Sequence, residues 1–413
     1  MAVSQNSANL KFSGRSGEMD APGIYLDNAA TSYPKPEAVY IAQDEYFRNS
    51  ANPGRGAYPL AANAARAIFE ARRSIAEFLG AEHSERLIFT PGCTYSINMV
   101  LKGAKLKKGD VVVTSSMEHN AVMRPLQQLE RSVGIKLLVL PYADRDVINV
   151  RFFRDSIKSL KPKLVVLSHA SNVTGELIDL DAVADACLTV KAPLLVDAAQ
   201  TAGRYRNCLQ HEGITYWAAS GHKGLFGPPG VGLLYVRTDD KLEPLIAGGT
   251  GSNSEKLEMP VVFPDRLEPG TINGPAIVAL AEGVQFVRKV GADAIAEHEA
   301  LLTAEFRQRL SRNRQMTIYG KTYFGSDGSL RLCESAAIVS FSLKGMSPDR
   351  VADLLDQKFH ISVRAGLHCA AQAHTTLGTI STGLTRVSFG YFNTFDDLEA
   401  VGDSLDAMSK IAL

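Results

Sequence analysis

The sequence predicts an α/β fold with two parts: a large domain on a seven-stranded, mostly parallel sheet, and a smaller C-terminal α/β domain. Short runs of β-branched and aliphatic residues alternate with helix-length segments between residues 87 and 236. This alternation is typical of right-handed crossovers in a parallel sheet that is covered by helices on both faces. The chain has 413 residues, of which 45% are hydrophobic, and this length favours two domains over one.

The elements follow in order along the chain. Residues 1–22 are polar and lack periodicity, so we expect a loosely held N-terminal tail. The large domain is predicted over residues 23–275, and its strands over 87–90, 111–114, 136–140, 164–168, 194–197, 216–220 and 231–236. A Gly-, Ser- and Pro-rich loop at 247–271 precedes a helix that begins near Pro275. The small domain is predicted over 276–413, with strands at 336–343, 361–364 and 385–389.

The charge balance restricts the classes of partner. Lys and Arg together number 44, as do Asp and Glu, so no net charge would draw the chain onto nucleic acid or an anionic membrane. No apolar run approaches the roughly 20 residues that span a bilayer, and the N-terminus does not resemble a secretory signal. We therefore expect a cytoplasmic protein that binds small molecules or specific proteins, without nucleic-acid or membrane partners.

The cysteines and histidines indicate neither a disulfide framework nor a metal site. The five cysteines form no CxxC pair and are sparse for a chain of this length, so we expect them to be reduced. His360, His368, Cys369 and His374 lie close together in the sequence, but their spacing matches no zinc pattern. We predict no metal.

Polar residues follow several predicted strands, at the edge where open α/β sheets bind ligands. Thr94 lies at the start of a helix whose free N–H groups suit a phosphate. His119 follows the second strand and can stack on an aromatic ring, and Asn172 follows the fourth. Taken singly, these residues also fit an ordinary helix cap, a local hydrogen bond and a turn former.

Two further residues complete a recognisable set. Asp197 ends an apolar strand, where a carboxylate is costly unless a cation such as a protonated ring nitrogen pairs with it. Lys223 follows the next strand, although a surface salt bridge would also explain a lysine there. A lysine for a Schiff base, an acid for a pyridine nitrogen, a stacking ring and phosphate donors together indicate pyridoxal phosphate. Neither nucleotide motif, GxGxxG or GxxxxGK[ST], is present.

Several motifs carry a family resemblance. They are Tyr-Leu-Asp-Asn-Ala-Ala-Thr at 25–31, Asn-Pro-Gly-Arg-Gly at 52–56, Glu-His at 118–119, Asp-Ala-Ala-Gln at 197–200, Ser-Gly-His-Lys at 220–223, Glu-Pro-Gly-Thr at 268–271 and Arg-Ala-Gly-Leu-His-Cys at 364–369. With them, residues 25 to about 404 resemble the class V aminotransferase family, and within it the cysteine desulfurases and selenocysteine lyases. The resemblance implies the fold type I architecture of pyridoxal-phosphate enzymes and a homodimer with the active site at its interface.

The resemblance also implies roles for individual residues. Lys223 would carry the cofactor, Asp197 would pair with its ring nitrogen, Gln200 would contact its ring oxygen and His119 would stack on the ring. The implied phosphate ligands are Thr94, the backbone of Cys93, Ser220, His222 and, from the second subunit, Thr271. The implied substrate contacts are Arg386, which would clamp the carboxylate, with Asn172, Asn28, Ala30 and Arg364. Asn172 would lie beside the cofactor ring as well and so also belongs to the implied cofactor site.

The implied reaction removes sulfur from L-cysteine, giving L-alanine and a persulfide on Cys369 for transfer to an acceptor protein. Lys223, Cys369 and His119 would be catalytic. Arg364 and His368 are positioned in the sequence to favour the thiolate, and Gly366 suggests a mobile loop between two strands.

One departure from the family leaves alternatives open. After Cys369 the chain continues Ala-Ala-Gln-Ala-His-Thr-Thr-Leu-Gly, unlike the best-known subgroups. The substrate can therefore also be L-selenocysteine, or the protein can be another class V lyase or aminotransferase that does not use Cys369. From a different class, a catalytically silent protein that binds a sulfur acceptor is the remaining alternative.

Overall fold

The structure is a computed structural model that describes residues 23–54, 56, 58–142, 147–204, 208–238, 242–252, 254–321 and 335–411. The predicted tail at 1–22 lies outside the described residues, as does Arg55 of the motif at 52–56.

The described strands are β1 (Ile24–Tyr25), β2 (Leu87–Thr90), β3 (Val111–Ser115), β4 (Lys136–Leu140), β5 (Leu164–Ser168), β6 (Leu194–Asp197), β7 (Tyr216–Ser220), β8 (Gly232–Val236), β9 (Met316–Tyr319), β10 (Ile338–Leu343), β11 (Ile361–Ser362), β12 (Arg364–Gly366) and β13 (Leu384–Ser388). The described α-helices are α1 (Glu37–Asn49), α2 (Pro59–Phe78), α3 (Cys93–Gly103), α4 (Asn120–Ser132), α5 (Val150–Leu160), α6 (Leu180–Val190), α7 (Gly274–Val290), α8 (Ala292–Ser311), α9 (Pro348–Phe359), α10 (Ala371–Thr376) and α11 (Phe395–Ile411). Short 3₁₀ turns lie at Ser84–Arg86 and Cys208–Gln210.

The central sheet has seven strands in the order β2-β8-β7-β6-β5-β3-β4. Strand β8 is antiparallel to both of its neighbours, and the other pairings are parallel. The predicted seven-stranded, mostly parallel sheet is confirmed. Because a strand buried on both faces reads as a continuous apolar run in either direction, the sequence did not distinguish β8 from the parallel strands.

Consecutive residues of the central strands alternate between two apolar cores, one on each face of the sheet. In β5, Val165 and Leu167 pack in one core, whereas Leu164 and Val166 pack in the other. Both faces are covered by helices, as a parallel sheet requires. The carboxyl ends of the parallel strands therefore form a rim between two helical layers.

A second sheet has the order β12-β13-β10-β9 and is antiparallel throughout. Its core is made of buried side chains from α8, α9, α11 and the sheet. The single strand predicted at 361–364 is divided here: β11 pairs with β1 in a separate two-stranded sheet, and β12 pairs with β13. Arg364 thereby turns toward the central sheet.

Two contacts cross the predicted domain boundary at 275/276. Strand β1, near the start of the predicted large domain, pairs with β11 of the predicted small domain. Helix α7 packs against α1 and α2. The boundary itself stays a prediction, and the two contacts connect residues on its two sides. Within the described part of the chain, no helix is long and apolar enough to cross a membrane.

Candidate active site

A cavity of about 230 Å³ lies at the rim of the central sheet. The parallel strands β2, β3, β5, β6 and β7 each supply residues from the segment that follows them, and β12, β13 and the loop after β12 close it from the other side. The lining includes the predicted site residues Ala30, Cys93, Thr94, His119, Asn172, Asp197, Gln200, Ser220, His222, Lys223, Arg364, Cys369 and Arg386. Residues that lie more than 300 positions apart in the sequence thus face one space.

Asp197 ends β6 with its carboxylate at the cavity and is 5% exposed. Its Oδ1 accepts hydrogen bonds from the backbone N–H of Ala199 at 2.9 Å and from the thiol of Cys93 at 3.3 Å. The side-chain amide of Gln200 donates to the carbonyl of Ala29 at 3.1 Å. The Oε1 of Gln200 is buried without a hydrogen-bond partner among the described residues.

Lys223 follows β7 and its ammonium faces the same cavity. Burial lowers the pKa of Lys223 to about 8, and the negative charge of Asp197 opposes that shift. A substantial fraction of the amine is therefore neutral close to physiological pH, which is the form that acts as a nucleophile or a base.

His119 is the N-cap of α4, and its Nδ1 accepts a 3.0 Å hydrogen bond from the N–H of Ala121. Since Nδ1 accepts, the ring proton is assigned to Nε2. Burial lowers the pKa of His119, so the imidazole is neutral. The adjacent carboxyl of Glu118 is buried and accepts from the hydroxyl of Ser115 at 2.6 Å and from the N–H of Ser168 at 2.9 Å, which joins the ends of β3 and β5.

The first turn of α3 opens on the cavity. Gly232 of β8 makes this possible, because a Cβ at that position would lie 2.5 Å from the Cα of Gly92. The first N–H groups of a helix have no intrahelical acceptor, and they attract anions. Thr94 belongs to this turn, and Ser220 and His222 line the same cavity. Burial lowers the pKa of His222 to about 4, with the charges of Lys223 and Lys35 acting in the same direction.

Arg386 of β13 is 2% exposed and is held from two sides. One Nη donates to the carboxylate of Asp27 at 2.7 Å, and the other donates to the backbone carbonyl of Asn172 at 3.1 Å. The Nε is buried without a hydrogen-bond partner among the described residues. A guanidinium fixed in this way keeps donors free for a carboxylate, which it can bind in a bidentate manner.

Cys369 lies at the mouth of the cavity, and its side chain is exposed. Residues His368 and Cys369 both have left-handed backbone conformations, with φ of 49° and 56°. The carbonyl of His368 accepts from the side chain of Asn172 at 2.6 Å, and the carbonyl of Cys369 accepts from the N–H of Asn120 at 2.7 Å. The segment after β12 is thus hydrogen-bonded to the rim, and α10 follows it before β13 begins.

Of the two basic residues expected near the Cys369 sulfur, only Arg364 places a positive charge there. An Nη of Arg364 lies 3.8 Å from Sγ, close enough to stabilise a thiolate. His368 does not add a second positive charge, because burial lowers the pKa of its imidazole to about 2, helped by the charge of Arg386. The interpretation of His368 as a thiolate-stabilising cation is therefore wrong, since burial in the loop outweighs its proximity in sequence.

Two predicted residues do not line the cavity. The side chain of Asn28 is buried beneath it, where its amide donates to the carbonyl of Ser388 and to Asn393, each at 3.1 Å. Thr271 is exposed and lines a separate groove next to Glu268. A role of Thr271 in a second subunit's site stays a prediction.

Sequence reasoning missed several residues at this site. Asp27, which holds Arg386, lies two residues after β1 and belongs to the motif at 25–31, so its place in that motif was an available signal. Ser168 lines the cavity at the end of β5 and was available on the same ground. Ala121, Ala170 and Ala199 also line it, and an alanine gives no chemical signal in a sequence.

The cavity suits a polar, anionic ligand. Five buried polar atoms of its lining residues have no hydrogen-bond partner among the described residues: Asn172 Oδ1, Gln200 Oε1, His222 Nδ1, His368 Nδ1 and Arg386 Nε. Buried polar groups without partners are costly and mark places where a ligand supplies the missing bonds. Across the described part of the chain, no group of three or more His, Cys, Asp or Glu side chains is arranged to hold a metal ion.

Comparisons with known proteins agree with this arrangement. The family model of class V aminotransferases matches residues 24–401. Proteins named as probable cysteine desulfurases from Methanothermobacter thermautotrophicus and Pyrococcus abyssi are 33% and 34% identical, each over 94% of this chain and 94% of its own length. The solved structure of a cysteine desulfurase from Thermococcus onnurineus NA1 is 31% identical, covers 94% of both chains and has a TM-score of 0.85. The chain therefore belongs to the class V aminotransferase family, as its motifs predict.

Proposed function

We propose that this protein is a pyridoxal-phosphate-dependent cysteine desulfurase, which converts L-cysteine to L-alanine and leaves the sulfur on Cys369 as a persulfide. The observation that carries the proposal is the placement of Lys223, Asp197, Arg386 and Cys369 on one cavity of about 230 Å³. The names of the relatives from Methanothermobacter thermautotrophicus and Pyrococcus abyssi support the same activity.

The lining residues fit pyridoxal phosphate. Lys223 would hold it covalently through Nζ, Asp197 would pair with its ring nitrogen, and Gln200 would meet the ring oxygen. The first turn of α3, Thr94, Ser220 and His222 would hold the phosphate, and His119 would stack on the ring. When bound, the cofactor supplies an electron-withdrawing ring that weakens the bonds of an amino acid next to its α-carbon.

Lys223 is suited to move the substrate's α-proton. Burial holds the pKa of its amine at about 8, so Nζ can accept a proton and return it without a large energetic cost. When the cofactor is bound, the negative charge of Asp197 would favour a positive charge on the ring nitrogen that pairs with it. Lys223 and Asp197 would thus have different roles. Nζ of Lys223 would exchange the α-proton of the substrate, and the carboxylate of Asp197 would stabilise the positive charge of the ring nitrogen.

Arg386 is the proposed anchor of the substrate carboxylate. Its guanidinium is oriented by Asp27 and by the carbonyl of Asn172, and its Nε is unpaired in the described structure. A charge-assisted pair of hydrogen bonds from this face would fix the α-carbon of the substrate near Lys223. Ala30, Arg364 and the unpaired Oδ1 of Asn172 complete the proposed substrate contacts.

Cys369 is the proposed acceptor of sulfur. Its thiolate, stabilised by Arg364, attacks the sulfur atom of the substrate, so that an S–S bond forms while the substrate's Cβ–S bond breaks. The electron pair of the broken bond stays on the carbon skeleton, which leaves as alanine after protonation. Because Cys369 is exposed, an acceptor protein or a thiol can then collect the sulfur.

A homodimer is part of the proposal. Thr271 is exposed and lies outside the cavity of its own chain, as expected if it completes the phosphate site of a second subunit. Helices α1 and α2 also expose large apolar side chains, among them Phe47 at 67% and Phe69 at 58%, which a partner would cover. We further expect the dimer to act in the cytoplasm.

The experiment that tests the proposal compares wild-type protein with Cys369→Ala and, as a matched control, Cys187→Ala, which removes another free cysteine that is buried in an apolar core. After brief exposure to cysteine, wild type and Cys187→Ala should carry the mass of one extra sulfur atom on the peptide with Cys369. Cys369→Ala should carry none and release neither alanine nor sulfide. Undiminished release of both products by Cys369→Ala would favour a lyase that does not use this cysteine.

A further inference from the structure

We propose that Cys93 is a positioning residue for Asp197: its thiol donates a hydrogen bond to Oδ1 and so fixes the carboxylate that holds the cofactor's ring nitrogen. The inference deepens the proposed function and depends on pyridoxal phosphate as the ligand of the cavity. It gives the side chain of Cys93 a task that the phosphate role predicted for its backbone does not include.

The contact between the two residues is well defined. The Sγ of Cys93 lies 3.3 Å from Oδ1 of Asp197, and the two residues are 6% and 5% exposed. Oδ1 also accepts the N–H of Ala199 at 2.9 Å. The protein thus supplies two donors to one carboxylate oxygen, while none of the hydrogen bonds among the described residues ends on Oδ2. Oδ2 is the oxygen that remains for the ligand.

Both ends of this contact are held by rigid elements. Cys93 is the first residue of α3, and its position is set by the close approach of Gly92 to Gly232 in β8. Asp197 is the last residue of β6. A side chain that is restrained by a helix on one side and a strand on the other orients a carboxylate more firmly than a water molecule would.

The thiol can act only as a donor here. Burial, together with the adjacent charge of Asp197, raises the pKa of the Cys93 thiol well above its ordinary value, so the sulfur keeps its proton. This distinguishes Cys93 from Cys369, whose exposed sulfur lies near Arg364. It also distinguishes Cys93 from Cys187, which is buried among apolar side chains of α6 and its neighbours.

Unpaired groups on the same cavity support a ligand at Asp197. The Oδ1 of Asn172 and the Oε1 of Gln200 are buried and have no partner among the described residues, and both side chains line the space that Asp197 faces. With a ring nitrogen there, the two hydrogen bonds on Oδ1 hold the carboxylate in the rotamer that presents Oδ2.

The test titrates cofactor-free protein with pyridoxal phosphate and measures the dissociation constant for wild type, Cys93→Ala, Cys93→Ser and the control Cys187→Ala. Loss of a hydrogen bond to a charged group changes an equilibrium constant by a factor of roughly 10 to 100. We therefore expect the dissociation constant for the cofactor to be about tenfold higher in Cys93→Ala than in wild type. Cys93→Ser keeps a donor and should stay within about threefold of wild type, and Cys187→Ala should match wild type.

Two further readouts separate positioning from a packing effect. The thermal midpoints of cofactor-free Cys93→Ala and Cys93→Ser should lie close to each other, although their cofactor affinities differ. The pH dependence of the visible absorption of the bound cofactor should differ between Cys93→Ala and wild type. In the variant, the Asp197 carboxylate that pairs with the ring nitrogen would be less firmly oriented. Equal cofactor affinity in wild type and Cys93→Ala would contradict the positioning role of Cys93, and so would an equal loss of affinity in the Ala and Ser variants. Either result leaves the proposed function unaffected. Wild type that does not bind pyridoxal phosphate overturns the proposed function and the inference with it.

Discussion

The side-chain amide of Asn172 donates a 2.6 Å hydrogen bond to the backbone carbonyl of His368, the residue before Cys369. The carbonyl of Asn172 in turn accepts a hydrogen bond from Arg386 at 3.1 Å. Asn172 therefore connects the proposed anchor of the substrate carboxylate with the segment that presents the sulfur acceptor. Under the proposed function, substrate binding and placement of the thiol would therefore depend on the same residue.

Replacing Asn172 with alanine should slow sulfur transfer more than it weakens cofactor binding. Loss of the donor leaves the buried carbonyl of His368 unpaired, which costs about 1–3 kcal/mol and loosens the placement of Cys369. We expect persulfide formation on Cys369 to slow by about tenfold or more in single-turnover measurements. The control Asn49→Ala removes an exposed amide that donates within α1 and should have no effect. Unchanged persulfide formation in Asn172→Ala would contradict the connection.

Arg386→Lys should raise the KM for cysteine. A lysine keeps the charge but cannot make the planar pair of hydrogen bonds, nor reach both Asp27 and the carbonyl of Asn172. With charge-assisted hydrogen bonds contributing about 1.5–3 kcal/mol, we expect KM to increase by roughly 10-fold or more in steady-state kinetics. Affinity for pyridoxal phosphate should change little, and a variant that loses the cofactor as well would indicate a structural role for Arg386.

Arg364→Gln should slow the alkylation of Cys369. The guanidinium lies 3.8 Å from Sγ, and glutamine removes the positive charge that favours the thiolate. The rate of modification by iodoacetamide at neutral pH, followed on the peptide with Cys369, should fall several-fold. Arg350→Gln, at an exposed position on α9, is the matched control. Equal rates in the two variants would show that Arg364 does not act on this sulfur.

Lys223→Met should stabilise the cofactor-free protein in a pH-dependent way. Burial lowers the pKa of Lys223 from 10.5 to about 8, so between these values the unfolded chain binds more protons than the native one. The stability of the wild type therefore rises with pH across this window, and the cost of the buried charge is greatest below it.

Because methionine removes that cost, the variant should exceed wild type in its free energy of unfolding at pH 7. The gain should shrink as the pH approaches 10.5, as measured by urea unfolding at several pH values. Lys289→Met, at an exposed position of α7, should show no such trend. A gain in the free energy of unfolding of Lys223→Met that does not vary with pH would show that the buried charge of Lys223 is not its cause.

The fold was largely predictable because its signals are local. Apolar runs and the helix-length gaps between them gave the seven central strands, with only small differences in their ends, such as β3 continuing to Ser115 and β8 beginning at Gly232. The antiparallel direction of β8 and the pairing of β1 with β11 were not predictable, since they depend on contacts between distant parts of the chain.

In the candidate site, too, some features were predictable from the sequence and others were not. Residues at the ends of parallel strands or just after them, such as Asp197 and Lys223, were identifiable because the sheet brings the carboxyl ends of its strands together. The pairing of Asp27 with Arg386, the contact of Cys93 with Asp197 and the neutral state of His368 were not. Each depends on the three-dimensional packing of side chains, which sets burial and partners that no local motif encodes.

The measurement that tests the central claim most directly is the simultaneous quantification of alanine and sulfide. Purified protein loaded with pyridoxal phosphate is incubated with L-cysteine and a thiol reductant, and both products are followed over time. The proposed desulfuration predicts that alanine and sulfide appear in equal amounts over many turnovers. Bound cofactor with neither product, or sulfide without alanine, would contradict the claim and assign another substrate or reaction to the cavity.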